Sequence, residues 1–185
     1  MPIRPITITG TEVLHTRAEP VIDFDETLQT LVQDMFETME KAPGVGLAAP
    51  QIGVGLSVFV YDWTDEDEVH HRGVAINPEL DLFGSQEFDK EDHIEGCLSV
   101  PGLRYPLARA PMVRLTALDL EGKKFTIIAK DWLARIFQHE FDHLQGILYV
   151  DRLAEEEESL ATKDIEEQNW PKDGSWMPGV DYEEP

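Results

Sequence analysis

A single cysteine, Cys97, stands in 185 residues. No intrachain disulfide can form, which fits a reducing compartment. No stretch approaches 18 apolar residues, and this excludes a membrane-spanning helix. No apolar signal-like core follows Met1, and a cytoplasmic protein is expected. Positive charge is scarce: 15 Lys and Arg face 37 Asp and Glu, for a net charge of −22. That balance argues against a general nucleic-acid surface and weakly repels acidic substrates. Internal repeats are absent. What remains is a 42% hydrophobic chain of a length that suits one domain with a sizeable core.

Against this background the run Gln138-His139-Glu140-Phe141-Asp142-His143 carries the most information. Trp132, Leu133, Ile136, Phe137 and Leu144 recur around it at helical spacing, with Asp131 where an N-cap belongs and Gly146 where a helix stops. The pattern predicts a buried helix over about 131–145. On such a helix positions i and i+4 share a face, so His139 and His143 lie about 40° apart around the axis. Two neutral imidazoles so placed can bind one divalent cation, and the neighbouring carboxylate stays free to handle protons. Glu140 is therefore a candidate general base. Asp142, on the opposite flank, is either a group that supports a ligand or one half of an ordinary ion pair. Two surface histidines on a helix would be the bland alternative, but buried imidazoles need partners for their ring nitrogens.

The third ligand must come from elsewhere, because Tyr149 stands where a continuation of the long protease motif requires histidine. Cys97 lies in Glu95-Gly96-Cys97-Leu98-Ser99. A lone cysteine is by default a small buried hydrophobe. Thiolate plus two imidazoles with one open position is, however, a catalytic geometry. A second glycine-rich segment, Gly44-Val45-Gly46-Leu47-Ala48-Ala49-Pro50-Gln51, superficially suggests a phosphate loop. It lacks the following Lys-Ser/Thr, and Pro50 is a poor start for a cradle helix. It reads either as a turn before a strand or as a backbone edge that receives an extended peptide. Gln51 ends it with an amide able to donate to a developing oxyanion.

The remaining chain supplies the frame. Residues 1–22 are extended, with Pro2, Pro5 and Pro20 excluding helix. Leu28, Leu31, Val32, Met35, Phe36 and Met39 mark an amphipathic helix to about Lys41, capped by Asp23 or Asp25. Strands are predicted at 56–61 and 73–77, separated by a polar loop from Asp62 to His71 in which His70 and His71 are solvated. A strand is predicted at 86–94, with His93 as a lining residue. Glu121-Gly122 joins strands 112–120 and 124–130 in a hairpin. Leu153 to Gln168 predicts a last helix, with Glu155 to Glu158 in its first turns. From Trp170 onward Pro, Gly and acids predict a loose tail.

Three segments, Gly44 to Gln51, Glu95 to Ser99 and Gln138 to His143, occur intact in the order and separations of the peptide deformylases, and the chain resembles that family from about residue 10 to 152. The resemblance implies an α+β fold, in which small mixed or antiparallel sheets surround a central metal-binding helix between an N-terminal amphipathic helix and a C-terminal helix. One catalytic domain is expected over 1–169, and beyond the resemblance the acidic composition predicts a flexible tail over 170–185, whose removal is expected to leave activity nearly unchanged. Cys97, His139 and His143 would hold the metal, and Glu140 would be the general base and acid. Gln51 and the Leu98 N–H would stabilise the oxyanion. Gly46 and Gly96 would pair with the peptide backbone and Arg104 approach its outer side. Val45, Trp132, Arg135, Ile136 and His139 would line the methionine pocket, the stem of Arg135 packing there while its charged end reaches solvent. Arg109 would brace Asp142 or Glu95.

The implied reaction is metal-assisted hydrolysis of the formamide on the N-formylmethionine of nascent peptides, releasing formate. Ferrous iron is the implied native ion, and zinc, nickel or cobalt suits the same ligands. Some members dock on ribosomes through a basic C-terminal helix. Here residues 153–185 hold eleven Asp or Glu against Lys163 and Lys172, a net charge of −9, so phosphate attraction is not expected. A zinc endopeptidase would need a downstream third ligand, and a structural metal module would need four protein ligands and no Glu140.

Overall fold

Residues 3–85, 89–170 and 174–181 are described by a computed structural model of the chain. The proline-punctuated N-terminus is extended only in part: Ile6–Thr7 form a short strand, β1, and Glu12–His15 make a turn of 3-10 helix where extended chain was expected. Asp25 accepts from the backbone N–H groups of Thr27 and Leu28 and so starts α1, Glu26–Lys41, as an N-cap should. Then come β2 (Gly46–Ala48), β3 (Val58–Thr64), β4 (His70–Phe83), β5 (Ile94–Cys97), β6 (Val100–Pro106), β7 (Met112–Leu118) and β8 (Lys124–Lys130). Helix α2 (Asp131–Leu144) follows directly, then α3 (Glu155–Glu167) and β9 (Ser175–Trp176). Strands β2-β3-β4-β7-β8 make an antiparallel sheet in that order, β5 pairs with β6, and β1 pairs with β9. The architecture is the expected α+β arrangement, with α2 at its centre.

Strand β3 explains the layering. Phe59 and Tyr61 point to one face and pack with Leu133, Ile136 and Phe137 of α2. Val58 and Val60 point to the other and pack with Val32, Met35 and Met39 of α1. A strand covered on both faces is apolar at every position, which is why its alternation is invisible in the sequence. Gly146 ends the metal helix at φ 74°, and a Cβ there would press within 2.9 Å of the His15–Thr16 backbone. The stop signal is thus also a close chain crossing.

Four further expectations change. Asp131 does not cap α2: Lys130 is the cap residue and forms no side-chain cap bond, while Asp131 sits at φ 52° with its N–H on the Pro111 carbonyl. The polar loop shrinks to residues 65–69, since β3 continues to Thr64 and β4 begins at His70. Polar contacts accompany this: across the strands His70 bonds Asp62 at 2.7 Å and Arg72 reaches Asp62, and His71 bonds Asp65 of the loop at 2.8 Å. The strand expected at 86–94 begins only at Ile94. Residues 86–88 lie outside the described ones, and 89–93 form a turn in which Asp89 accepts from the N–H groups of Glu91 and Asp92. His93 closes that turn by accepting from the Asp89 N–H and does not line the cleft.

The fourth change concerns the segment after Trp170. Its acids suggested looseness, yet Ser175–Trp176 pairs with Ile6–Thr7, and Trp176 is 5% exposed among Ile6, Ile8 and Ala42. One buried indole outweighs the local polarity because its apolar area supplies what the neighbouring residues cannot.

Candidate metal centre

Two elements bring the candidate ligands together. The tight β5–β6 turn presents Cys97, and one face of α2 presents His139 and His143. The Cys97 Sγ lies 3.3 Å from His143 Nε2, and the ligand atoms of all three residues lie within 4.8 Å of one another. His139 engages Glu95 Oε2 through Nδ1 at 3.1 Å, which leaves Nε2 to face the other donors. Ser99 N–H donates to the Cys97 sulfur at 3.4 Å, and the Gln51 amide nitrogen stands 3.7 Å from it. One soft thiolate and two imidazoles, that of His139 oriented by Glu95, fit a divalent transition ion, and four protein ligands for a closed site are not assembled among the described residues. Tyr149 is no ligand: its ring stacks on His139 at 6.0 Å and its hydroxyl donates to the Leu103 carbonyl.

Beneath the ligands lies a buried ionic floor. Arg109 donates through Nε and Nη2 to the two oxygens of Glu95, both at 2.9 Å, and through Nη1 to Asp142 at 2.6 Å. Arg152 forks onto Asp142 at 2.7 and 2.6 Å. Arg109 therefore braces both carboxylates, and Asp142 is the anion between two guanidinium groups. Arg135 differs from expectation: its charged end turns inward, donating to Glu95 at 2.6 Å and to the Leu107 carbonyl at 2.7 Å. An anion and a carbonyl under the pocket make burial of this guanidinium cheaper than a route to solvent. Burial opposes the charge of Glu95, but hydrogen bonds from His139 and Arg109 outweigh it and hold the carboxyl well below the usual range.

Glu140 is the counterpart. It is equally buried, and its Oε2 finds no hydrogen-bond partner among the described residues. Burial pushes its carboxyl up to about 7; the His139 and Arg109 charges pull down, and the Glu95 and Asp142 charges push up. A Cβ at position 46 would collide with the Glu140 carboxylate, so Gly46 makes the space in which that group sits.

A cleft of about 330 Å³ opens above the centre. Val45, Gly46, Gln51, Gly96, Cys97, Leu98, Arg104, Trp132, Arg135, Ile136, His139 and Glu140 all line it, whereas His143 lies beneath. The sequence reading missed Trp63, whose ring meets Trp132 at 6.2 Å on the cleft wall. An aromatic in an otherwise polar stretch was the available signal. Gln51 is oriented by accepting the Ala48 N–H at 2.8 Å, which aims its amide nitrogen at the cysteine.

Comparison with known proteins agrees with this geometry. The polypeptide deformylase family model matches residues 3–159. A peptide deformylase of Tropheryma whipplei strain TW08/27 is 50% identical over 191 residues, covering 95% of this chain and 94% of that protein. The solved peptide deformylase of Legionella pneumophila superposes with a TM-score of 0.79 at 42% identity, covering 89% of this chain and 94% of that one. The Ehrlichia chaffeensis enzyme, solved in complex with actinonin, gives a TM-score of 0.81 at 33% identity, covering 92% and 100%. With one thiolate and two imidazoles gathered beside a buried carboxylate, and with relatives of this identity along nearly its whole length, the chain belongs to the polypeptide deformylase family.

Proposed function

We propose that this metal-dependent hydrolase removes the formyl group from the N-terminal formylmethionine of newly made proteins, with Cys97, His139 and His143 as ligands and Glu140 as proton carrier. The observation that carries the reading is the Glu140 carboxyl, buried beside the three donors with an unpartnered oxygen and a proton affinity near neutrality. Cys97, His139 and His143 would hold a divalent ion, which would supply Lewis acidity to the site. Glu140 takes a proton from the water that attacks the formyl carbon and passes it to the nitrogen as the C–N bond breaks. Formate and a free amino terminus result. The Gln51 amide and the Leu98 N–H donate to the carbonyl oxygen as it gains charge. Strand β2 is an edge of the five-stranded sheet, which suits pairing of Gly46 with an extended peptide; Gly96 pairs from the other wall and Arg104 meets the outer side. Val45, Trp132, Ile136 and the stem of Arg135 receive the methionine side chain.

Ferrous iron is the native ion in this reading, exchangeable for zinc, nickel or cobalt because thiolate and imidazole accept all four. The substrates are formylated nascent chains met in the cytoplasm. Ribosome contact through the acidic C-terminal region is disfavoured by its charge. The test is formate release from a formyl-Met peptide, run beside cleavage of an unstructured protein substrate and paired with metal analysis. Formate release that tracks one bound ion per chain supports the reading. Internal cleavage without formate release would replace it with a peptidase.

A further inference from the structure

We propose that Trp176, in the C-terminal strand β9, is a positioning residue for the Cys97 thiolate and acts through the Leu98–Ser99 peptide. The indole Nε1–H donates to the Leu98 carbonyl at 2.8 Å. The N–H of that same peptide unit, on Ser99, donates to the Cys97 sulfur at 3.4 Å. A peptide unit is planar and rigid, so a bond that fixes its carbonyl also fixes the direction of its N–H. Trp176 thereby sets the angle at which a backbone donor meets the thiolate. A donor to a ligand sulfur lowers the charge it offers to a metal and restricts its orientation.

The rest of the β1–β9 ribbon grips the same region. Thr9 N–H donates to the Ser99 carbonyl at 2.9 Å, and Ile8 N–H holds the Gly174 carbonyl at 2.8 Å. On the other side of the ribbon, the Thr7 hydroxyl contacts the carbonyls of Pro50 and Gln51 at 3.1 and 3.2 Å. The two segments that carry the oxyanion donors, 48–51 and 97–99, are thus tied to one small ribbon whose second strand lies beyond the 3–159 span of the family match. The side chain of Leu98 packs against the Trp176 cluster and fills the turn from inside.

This inference rests on Cys97 being a metal ligand, and the experiment separates the two. In the full chain, Trp176 is replaced by 3-benzothienylalanine, which keeps the ring's shape and removes the N–H donor; Trp176→Phe is the second variant. Three readouts are compared with the parent. Amide exchange over residues 97–100 reports the brace itself and should quicken about tenfold. The thiolate charge-transfer band of the cobalt-loaded protein should shift, and kcat should fall about tenfold while KM stays within twofold. Unchanged exchange overturns the brace. Unchanged charge transfer with slower turnover also overturns the proposal, by reducing Trp176 to packing. A parent protein with no thiolate band at all would remove Cys97 from the ligand set, and with it the route through the sulfur.

Discussion

Glu95, in the floor of the cleft, receives hydrogen bonds from Arg109, Arg135 and His139, whereas Glu140, in its wall, leaves one oxygen without a partner among the described residues. Both side chains are 4% exposed. Burial therefore raises the proton affinity of each, and the difference lies in what surrounds it. His139 and Arg109 hold the Glu95 carboxyl low, and Glu140, without such partners, is pushed up to about 7 by burial. The floor is saturated and serves to hold: it fixes the His139 ring and locks α2 to β5. In the proposed reading the rim, made of Glu140, Gln51 and the Leu98 N–H, serves to act, and one Glu140 oxygen there has no partner among the described residues.

The comparison can be broken most severely at the ligand the two regions share. Cys97→Ser exchanges a soft thiolate for a weak neutral hydroxyl and should lose most of the metal and nearly all turnover. Full metal content with full activity would remove Cys97 from the site. On the rim, Glu140→Ala should retain the metal while hydrolysis falls by roughly 10²- to 10⁴-fold. Metal loss as complete as in His139→Ala would make Glu140 a ligand. Gln51→Leu should lower kcat by about 10²- to 10³-fold and change KM far less, because an oxyanion donor acts in the transition state; an effect confined to KM would assign it to substrate binding.

The floor should respond in stability instead. Arg109→Ala strands Glu95 and Asp142 in the interior, and denaturant titration should show a loss of about 3–5 kcal/mol. The sign of the pH dependence follows from Glu95. Its folded-state carboxyl is held low, so this contribution is present above the unfolded value of about 4.3 and drains away as pH falls below it. A Glu95→Gln variant should lose stability at neutral pH and show less additional loss on acidification. Smallest of all, Asp62→Ala breaks only the exposed contacts to His70 and Arg72 on the sheet surface and should cost under about 1 kcal/mol. A larger effect there would mean that the β3–β4 extension depends on ion pairs more than on its backbone ladder.

Much of this protein was legible in the chain because the relevant signals are local. The histidine pair, Glu140 between them and the helix that carries them follow from four-residue spacing. Helix α1 was readable from its periodicity, with its cap narrowed to Asp23 or Asp25, and the β7–β8 hairpin from Glu121-Gly122. The extent of β3 and β4 was not readable, because the polar pairs that accompany it come from residues eight to ten positions apart on facing strands. Nor was the inward turn of Arg135. The family resemblance places it in a methionine pocket, and only the fold sets Glu95 and Leu107 under its guanidinium.

The sequence by itself determined the donor types, their face of the helix and the carboxylate beside them, since helical geometry converts spacing directly into position. Tertiary structure decided how those groups are charged and held. The pairing of Arg109 with both Glu95 and Asp142, the isolation of Glu140 against Gly46, and the return of Trp176 to the Leu98 carbonyl each join residues between 14 and 94 positions apart. Hydrogen bonding and desolvation act through space, and no local pattern records which distant partner will arrive.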